Sequence, residues 1–287
     1  MADDTGRWLV ETDWLASHLD TPGLAILDGS MHLPTAKRDA KAEYLAGHIP
    51  GALFFDIDDI ADDRSPLPHM LPPAEKFASR MKKMGIGDGM HVVAYDSEGL
   101  YSAARVWWMF RAMGYGEVRV LNGGLKKWQA EGRALEEGEP RRRSERHFTA
   151  RLNAELVRDA GDVQALIRSK AAQIVDARAA ARFAGTVPEP RAGLRSGHIP
   201  SSRNVPFASL LNSDGTLKAA AELRAIFASA GVDPTKPVVA SCGSGVTAGV
   251  VALALAVLSR PYAAVYDGSW TEWGANAGLP IETGPAR

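Results

Sequence analysis

The single cysteine of the chain, Cys242, stands at the head of a glycine-rich loop that reads Cys-Gly-Ser-Gly-Val-Thr. Apolar runs over 238–241 and 249–258 flank this loop and predict a strand before it and a helix after it. Cys242 then lies where the strand ends and the helix begins, and the free amide N–H groups there favour a thiolate over a thiol. Because the thiolate is the nucleophilic form of cysteine, this placement predicts covalent chemistry.

A free cysteine in an arbitrary chain is more often a small buried hydrophobe than a reactive group. The glycines of this loop favour the reactive interpretation. Gly243 and Gly245 allow positive φ angles, with which a loop can turn several N–H groups toward one point. A cysteine that only fills space in a core needs no such cradle.

The composition is that of a soluble globular chain with material for two domains, at 287 residues, 46% hydrophobic and 23% charged. A net charge of −1, with basic residues spread along the chain, argues against a nucleic-acid partner. One cysteine excludes intrachain disulfides and suits a reducing compartment, so we expect a cytoplasmic protein. Seven scattered histidines offer no metal cluster, and we expect no metal and no organic cofactor.

Two features of the chain bear on membranes. The N-terminus lacks the basic-then-apolar layout of a secretory signal. The uncharged stretch 238–259 is long enough to suggest a membrane span, but serines, glycines and a threonine interrupt it. A strand, a loop and a helix in a buried α/β core explain it better, so we expect no membrane partner.

Segments of the first half recur in the same order in the second half, which indicates a duplicated domain. The repeated segments are Gly-His-Ile-Pro at 47–50 and 197–200, the strand-like runs 92–96 and 238–242, and the Trp-containing runs 122–128 and 267–273. Both copies of Gly-His-Ile-Pro keep the histidine although only one half has the cysteine. The histidines are therefore predicted to serve the fold.

The duplication predicts two α/β domains, each a mostly parallel sheet covered by helices on both faces, because short apolar runs alternate with helical patterns. We place the N-terminal domain at 1–138, an exposed linker rich in charges with Gly and Pro at 139–152, and the C-terminal domain at 153–287. Ligands of such sheets gather at the carboxyl ends of the strands. Cys242 lies at such an end.

The position of the first half that matches Cys242 is Asp96. One half therefore carries the nucleophile, and the other carries a silent copy of the site that shapes a cleft between the domains. The alternative is that both halves only bind a ligand and that the cysteine is incidental.

Two such halves, each with Gly-His-Ile-Pro, and one cysteine in the loop of the second half resemble the tandem-domain rhodanese sulfurtransferases. The resemblance covers about Trp8 to Thr283. The loop over 242–248 is similar to that of the 3-mercaptopyruvate-using branch, whereas thiosulfate-preferring relatives typically carry Cys-Arg-Lys-Gly-Val-Thr. The residues beside Cys242 are the neutral Gly243 and Ser244. A neutral loop suits mercaptopyruvate, whose charge is remote from the sulfur, better than the thiosulfate dianion.

The resemblance implies a two-step reaction in which Cys242 takes a sulfur from 3-mercaptopyruvate, releases pyruvate and becomes a persulfide. The sulfur then passes to cyanide, a small thiol or thioredoxin. The resemblance implies no cofactor, and a monomer is expected because the two halves can form one site.

The resemblance also implies roles for individual residues. Loop N–H groups would hold the thiolate and the persulfide, two arginines would bind the carboxylate and keto group of the donor, and a serine, a histidine and an aspartate would relay a proton. These residues are Gly243, Gly245, Val246 and Thr247 for the N–H groups, Arg182 and Arg191 for the donor, and Ser244, His69 and Asp58 for the relay. The structural alternatives are solvated loop arginines, a helix N-cap at Asp58 and a loop histidine at His69.

Three competing functions remain open. The nearest is a sulfurtransferase that prefers thiosulfate. A cysteine phosphatase would need an arginine six residues after the cysteine, where this chain has Ala248. A non-enzymatic binding or redox-sensing module would form no persulfide and release no pyruvate.

Overall fold

The computed structural model describes residues 3–141, 143–260 and 262–286, so Arg142 of the predicted linker lies outside them. The strands form two five-stranded sheets in which all pairings are parallel. The first sheet has the order β1-β5-β4-β2-β3 and the second the order β6-β10-β9-β7-β8. The strands are β1 (Leu9–Val10), β2 (Leu24–Asp28), β3 (Leu53–Phe54), β4 (His91–Tyr95), β5 (Val118–Leu121), β6 (Val157–Arg158), β7 (Gln173–Asp176), β8 (Arg203–Asn204), β9 (Val238–Ser241) and β10 (Ala264–Tyr266).

Helices connect successive strands and cover the sheets. They are α1 (Thr5–Trp8), α2 (Thr12–Ala16), α3 (Ala40–Ala46), α4 (Ile57–Ile60), α5 (Ala74–Lys83), α6 (Ala103–Ala112), α7 (Gly124–Ala130), α8 (Ala160–Ser169), α9 (Ala180–Phe183), α10 (Ala220–Ser229), α11 (Ala248–Val257) and α12 (Ser269–Trp273). Short 3₁₀ turns lie at Pro34–Ala36, Ala154–Leu156 and Phe207–Leu210. The order of strands in one sheet maps onto the order in the other, as the sequence repeat predicts.

The repeated Gly-His-Ile-Pro segments have the same structural role in both domains. His48 stacks on Tyr44 with ring centroids 4.0 Å apart, and His198 stacks on Phe183 at 3.8 Å. Each histidine also hydrogen-bonds through Nδ1 to the backbone carbonyl of its aromatic partner, at 2.8 and 2.9 Å. Both histidines are buried, and their contacts belong to the fold.

The two domains meet where α6 crosses α11, the helices that follow the matching loops of the two halves. Both helices belong to one apolar core that spans the domains. At the crossing, a Cβ on Gly249 would lie 2.8 Å from the carbonyl of Ala104, so only glycine permits this approach. α11 is buried over its whole length of 10 residues. Within the described ranges, no helix combines the length and apolarity that a bilayer span requires.

The segment predicted as a linker is mostly exposed and follows the surface of the first domain. Asp88 fixes it through its own N–H, which donates to His147, and through its carboxylate, which accepts from Thr149. Phe148 is buried against Phe77 and Tyr115. The segment is therefore attached to the first domain by specific contacts.

Candidate active site

Cys242 is the residue that directly follows β9, at the carboxyl end of the sheet, as the sequence predicts. It is only 2% exposed, but it lines a cavity of about 140 Å³ between the domains. The first domain contributes Leu33 and Tyr101 to this cavity. The sulfur is therefore placed in a cleft between the two domains and is not sealed in a core.

The backbone carbonyls of the cysteine loop are held on the side of α12. The carbonyl of Cys242 accepts a bond from the N–H of Trp270 at 3.0 Å. The carbonyl of Gly243 accepts from the N–H and from Oγ1 of Thr271, both at 2.8 Å. Since C=O and N–H of a trans peptide point in opposite directions, the N–H groups of Gly243 and Ser244 point away from α12. In the described part of the chain, the N–H groups of 243–247 donate to no backbone carbonyl.

The silent loop shows what such a set of N–H groups can do. At the position that matches Cys242, the carboxylate of Asp96 accepts five backbone N–H bonds of 2.7 to 2.9 Å. The donors are Glu98, Gly99, Tyr101, Ser102 and Ala103. The duplicated loop is therefore a cradle that turns N–H groups toward one acceptor at its head. In the second domain that position holds the cysteine.

Two arginines and one glutamate form a buried charge cluster beside the loop. The side chain of Glu189 is 1% exposed and accepts from Arg178 Nη1 at 2.9 Å and from Arg182 Nη2 at 2.5 Å. Arg178 also binds Asp176 and lies over the ring of Trp270 at 4.2 Å. Arg182 lines the cavity and approaches the loop, as a Cβ on Gly243 would lie 3.2 Å from its Nη2. The cluster therefore fixes one guanidinium beside Gly243, in the cavity that Cys242 also lines.

The second predicted donor arginine, Arg191, also lines the cavity and connects it to the predicted relay. Its Nη2 lies 3.1 Å from Nε2 of His69, and Nδ1 of His69 lies 2.5 Å from the carboxylate of Asp58. An arginine can only donate, so Nε2 of His69 is the acceptor and Nδ1–H donates to Asp58. This bond, helped by the charge of Arg191, lowers the pKa of Asp58.

Both halves of the chain match the family described as Rhodanese-like domain, over residues 11–131 and 159–276. The chain belongs to this family. It is similar to the 3-mercaptopyruvate sulfurtransferase of Escherichia coli K12, with 50% identity over 96% of this chain and 98% of that protein. It is 45% identical to the human 3-mercaptopyruvate sulfurtransferase and 46% identical to the bovine thiosulfate sulfurtransferase, each over 93% of this chain and 92% of the relative.

Solved structures agree with the rhodanese assignment. The crystal structure of SseA from Escherichia coli matches with a TM-score of 0.84 and 48% identity, over 92% of this chain and 98% of SseA. The Tum1 protein of Saccharomyces cerevisiae matches with a TM-score of 0.89 and 29% identity, over 98% of this chain and 99% of Tum1. At these identities the chain is a sulfur-group transferase with two rhodanese domains.

Most of the predicted site residues meet at the rhodanese cavity, and three do not. Those that line it with the cysteine are Arg182, Arg191, Gly243, Ser244, Val246 and Thr247. Gly245 is not one of the lining residues, and a Cβ on it would lie 2.6 Å from the carbonyl of Asp267. Among the contacts of the described residues, only the bond between His69 and Arg191 connects Asp58 and His69 to the cavity. In the same part of the chain, no group of histidine, cysteine and carboxylate side chains could hold a metal ion.

Three polar or charged residues among those that line the cavity were not predicted from the sequence. Arg178 is buried and lines the rhodanese cavity, although no sequence feature distinguished it from the other loop arginines. Its place just after β7, at a strand end, is the signal that could have found it. Nothing in the sequence pointed to Glu189. Tyr101 belongs to the silent loop, and burial, followed by the charge of Cys242, raises its pKa to about 12.

Proposed function

We propose that the protein transfers the sulfane sulfur of 3-mercaptopyruvate to an acceptor through a persulfide on Cys242. One observation carries the proposal: the residues next to the sulfur, Gly243 and Ser244, are neutral, while Arg182 and Arg191 line the same cavity. Mercaptopyruvate has this distribution of charge, because its carboxylate is separated from its sulfur by two carbons. Planar guanidinium groups suit the carboxylate and the keto oxygen.

The alternative donor is thiosulfate. Overall similarity does not choose between the two donors, because relatives named for each are about equally identical to this chain. Thiosulfate carries two charges close to the attacked sulfur, and cations beside Cys242 would suit it. The neutral loop therefore favours mercaptopyruvate.

The first half-reaction forms an S–S bond and breaks a C–S bond. The thiolate of Cys242 attacks the sulfur of the donor, and the electron pair of the C–S bond passes to the carbon as the enolate of pyruvate. The N–H groups of Gly243, Gly245, Val246 and Thr247 stabilise the charge on the thiolate and on the persulfide. In the second half-reaction an acceptor thiolate or cyanide attacks the outer sulfur and restores Cys242.

The enolate needs one proton to become pyruvate. Ser244 lies in the cavity two residues from the cysteine, and the Asp58–His69 pair lies behind Arg191. We include these three residues as the proton relay. When the carboxylate of the donor draws Arg191 toward itself, the unprotonated Nε2 of His69 becomes free to take the proton that the Cys242 thiol loses. The relay then returns this proton to the enolate through Ser244.

The proposal also includes the sulfur acceptors, the oligomeric state and the cellular compartment. Small thiols, cyanide or thioredoxin act as acceptors, and no cofactor takes part. Because both domains of one chain line the cavity, a monomer holds a complete site. A reducing compartment such as the cytoplasm would keep the single cysteine reduced between turnovers.

Mass spectrometry after incubation with 3-mercaptopyruvate tests the proposal. The peptide that contains Cys242 should gain one sulfur, about 32 Da, with release of pyruvate, and Cys242→Ser should do neither. Parallel kinetics with both donors then decide the substrate. A higher kcat/KM for thiosulfate would replace the donor, and pyruvate release by Cys242→Ser would refute the persulfide.

A further inference from the structure

Arg105 is a fully buried cation that reaches from the silent domain to the cysteine loop. It is the third residue of α6 and 0% exposed. Its Nη1 donates to the carbonyl of Gly245 at 3.2 Å and to Asp267 Oδ1 at 2.5 Å, and its Nη2 donates to the carbonyl of His69. One guanidinium thus joins the loop, the residue after β10 and the segment that carries the predicted relay histidine.

The bond to Gly245 fixes the direction of the next peptide group. Gly245 has φ +78°, and a Cβ on it would lie 2.6 Å from the carbonyl of Asp267, so the position has no room for a side chain. Because that carbonyl points toward Arg105, the N–H of Val246 points in the opposite direction. Val246 lines the cavity of Cys242. Arg105 therefore binds a loop carbonyl on the side opposite to the cavity, as Thr271 binds the carbonyl of Gly243.

The duplicated domain supplies an internal comparison. Asn122 follows β5 as Asp267 follows β10, and each accepts a backbone N–H across the domain interface, from Leu217 at 2.9 Å and from Leu71 at 2.6 Å. The third residue of α11, however, is the buried apolar Val250. The fold is thus built with a neutral side chain behind the silent loop. Among the residues that the structure describes, the pair of Arg105 and Asp267 stands behind the loop that carries the cysteine, and the matching positions behind the silent loop, Val250 and Asn122, carry no charge.

We propose that Arg105 is a positioning residue for the cysteine loop, an inference that rests on the proposed function. It holds the Gly245–Val246 peptide so that an N–H group faces the sulfur, and it ties the His69 segment to the same point. Asp267 balances its charge, because an unpaired buried cation would be strongly disfavoured. The silent domain thereby contributes to the chemistry of the other domain.

The main test uses the double variant Arg105→Gln with Asp267→Asn, which removes both buried charges together and resembles the neutral arrangement behind the silent loop. We expect the single-turnover rate of persulfide formation and kcat to fall about tenfold or more, with KM for 3-mercaptopyruvate changed less than about threefold. The rate of alkylation of Cys242 by iodoacetamide at fixed pH should fall in parallel. Arg105→Lys keeps the charge but loses the planar guanidinium that donates to several acceptors at once. Its rate of persulfide formation should therefore lie between those of the double variant and the wild type.

Arg111→Gln is the matched control. Arg111 lies on the same helix and covers the rings of Trp8 and Trp107 at 4.6 and 4.7 Å, away from the loop. This variant should lower Tm and leave alkylation and kcat unchanged. A folded double variant with both rates within twofold of wild type overturns the inference, and so does an equal loss in Arg111→Gln. Alkylation needs no sulfur donor, so it tests Arg105 even if the proposed substrate is wrong.

Discussion

Replacing Glu189 by glutamine should separate the role of the buried charge cluster from that of the cysteine itself. The carboxylate accepts bonds from Arg178 and from both Nε and Nη2 of Arg182, while Arg178 keeps its three bonds to Asp176. The loss therefore falls mainly on Arg182, whose side chain is 23% exposed and can regain water. A charge-assisted hydrogen bond contributes about 1.5–3 kcal/mol, so we expect a loss of stability of that order.

Glu189→Gln should lower Tm by about 3–5 °C, because the entropy of unfolding of a chain of this size is about 0.6 kcal/mol/K. If Arg182 also loses its fixed direction, kcat/KM for 3-mercaptopyruvate should fall about tenfold, which corresponds to about 1.4 kcal/mol. Steady-state kinetics and calorimetry measure both effects. The matched control is Glu282→Gln, since the Glu282 side chain is 44% exposed and its contact with His198 spans 3.7 Å. Exposed pairs contribute about 0–1 kcal/mol.

Equal effects of the two glutamine variants would refute this reasoning. They would mean that Glu189 does not hold Arg182 at the cavity. Unchanged kcat/KM with a lowered Tm would restrict the cluster to stability and would remove the link between Glu189 and the donor.

Further substitutions test the loop, the domain contact and the relay. Gly243→Arg would push against Arg182, whose Nη2 lies 3.2 Å from the added Cβ. The ratio of kcat/KM for mercaptopyruvate to kcat/KM for thiosulfate should therefore fall at least about tenfold. An unchanged ratio would contradict the specificity argument. Gly249→Ala would bring a Cβ to 2.8 Å from the backbone of α6 and should cost about 1–3 kcal/mol in urea unfolding. Gly6→Ala, with no heavy atom within 4 Å of its Cβ, is the control and should not destabilise. Asp58→Asn should lower kcat about 100-fold with a smaller change in KM, whereas a rise in KM alone would show that the histidine only orients its arginine. Because the histidine bond lowers the pKa of Asp58, the wild-type pair should persist as the pH falls to about 4 and be lost only below that.

The sequence by itself determined the fold class, the duplication and the position of the nucleophile. Short apolar runs alternate with helical patterns, and this local pattern gives two parallel sheets of the same strand order. The Cys242 loop is also local, because one strand, its glycines and one helix build it. Comparison of the two halves identified Asp96 as the silent counterpart without any knowledge of the contacts.

The tertiary structure decided which side chains meet at the cavity. Tyr101 comes from the silent loop, and Glu189 binds two arginines. No sequence pattern around either residue predicts the residues that it contacts. The pair of Arg105 and Asp267 joins residues of different domains. The type of a residue and its spacing along one strand or helix predict the chemistry that its side chain can perform. Which charges become buried together depends on how two domains pack, and the crossing of α6 and α11 sets that arrangement.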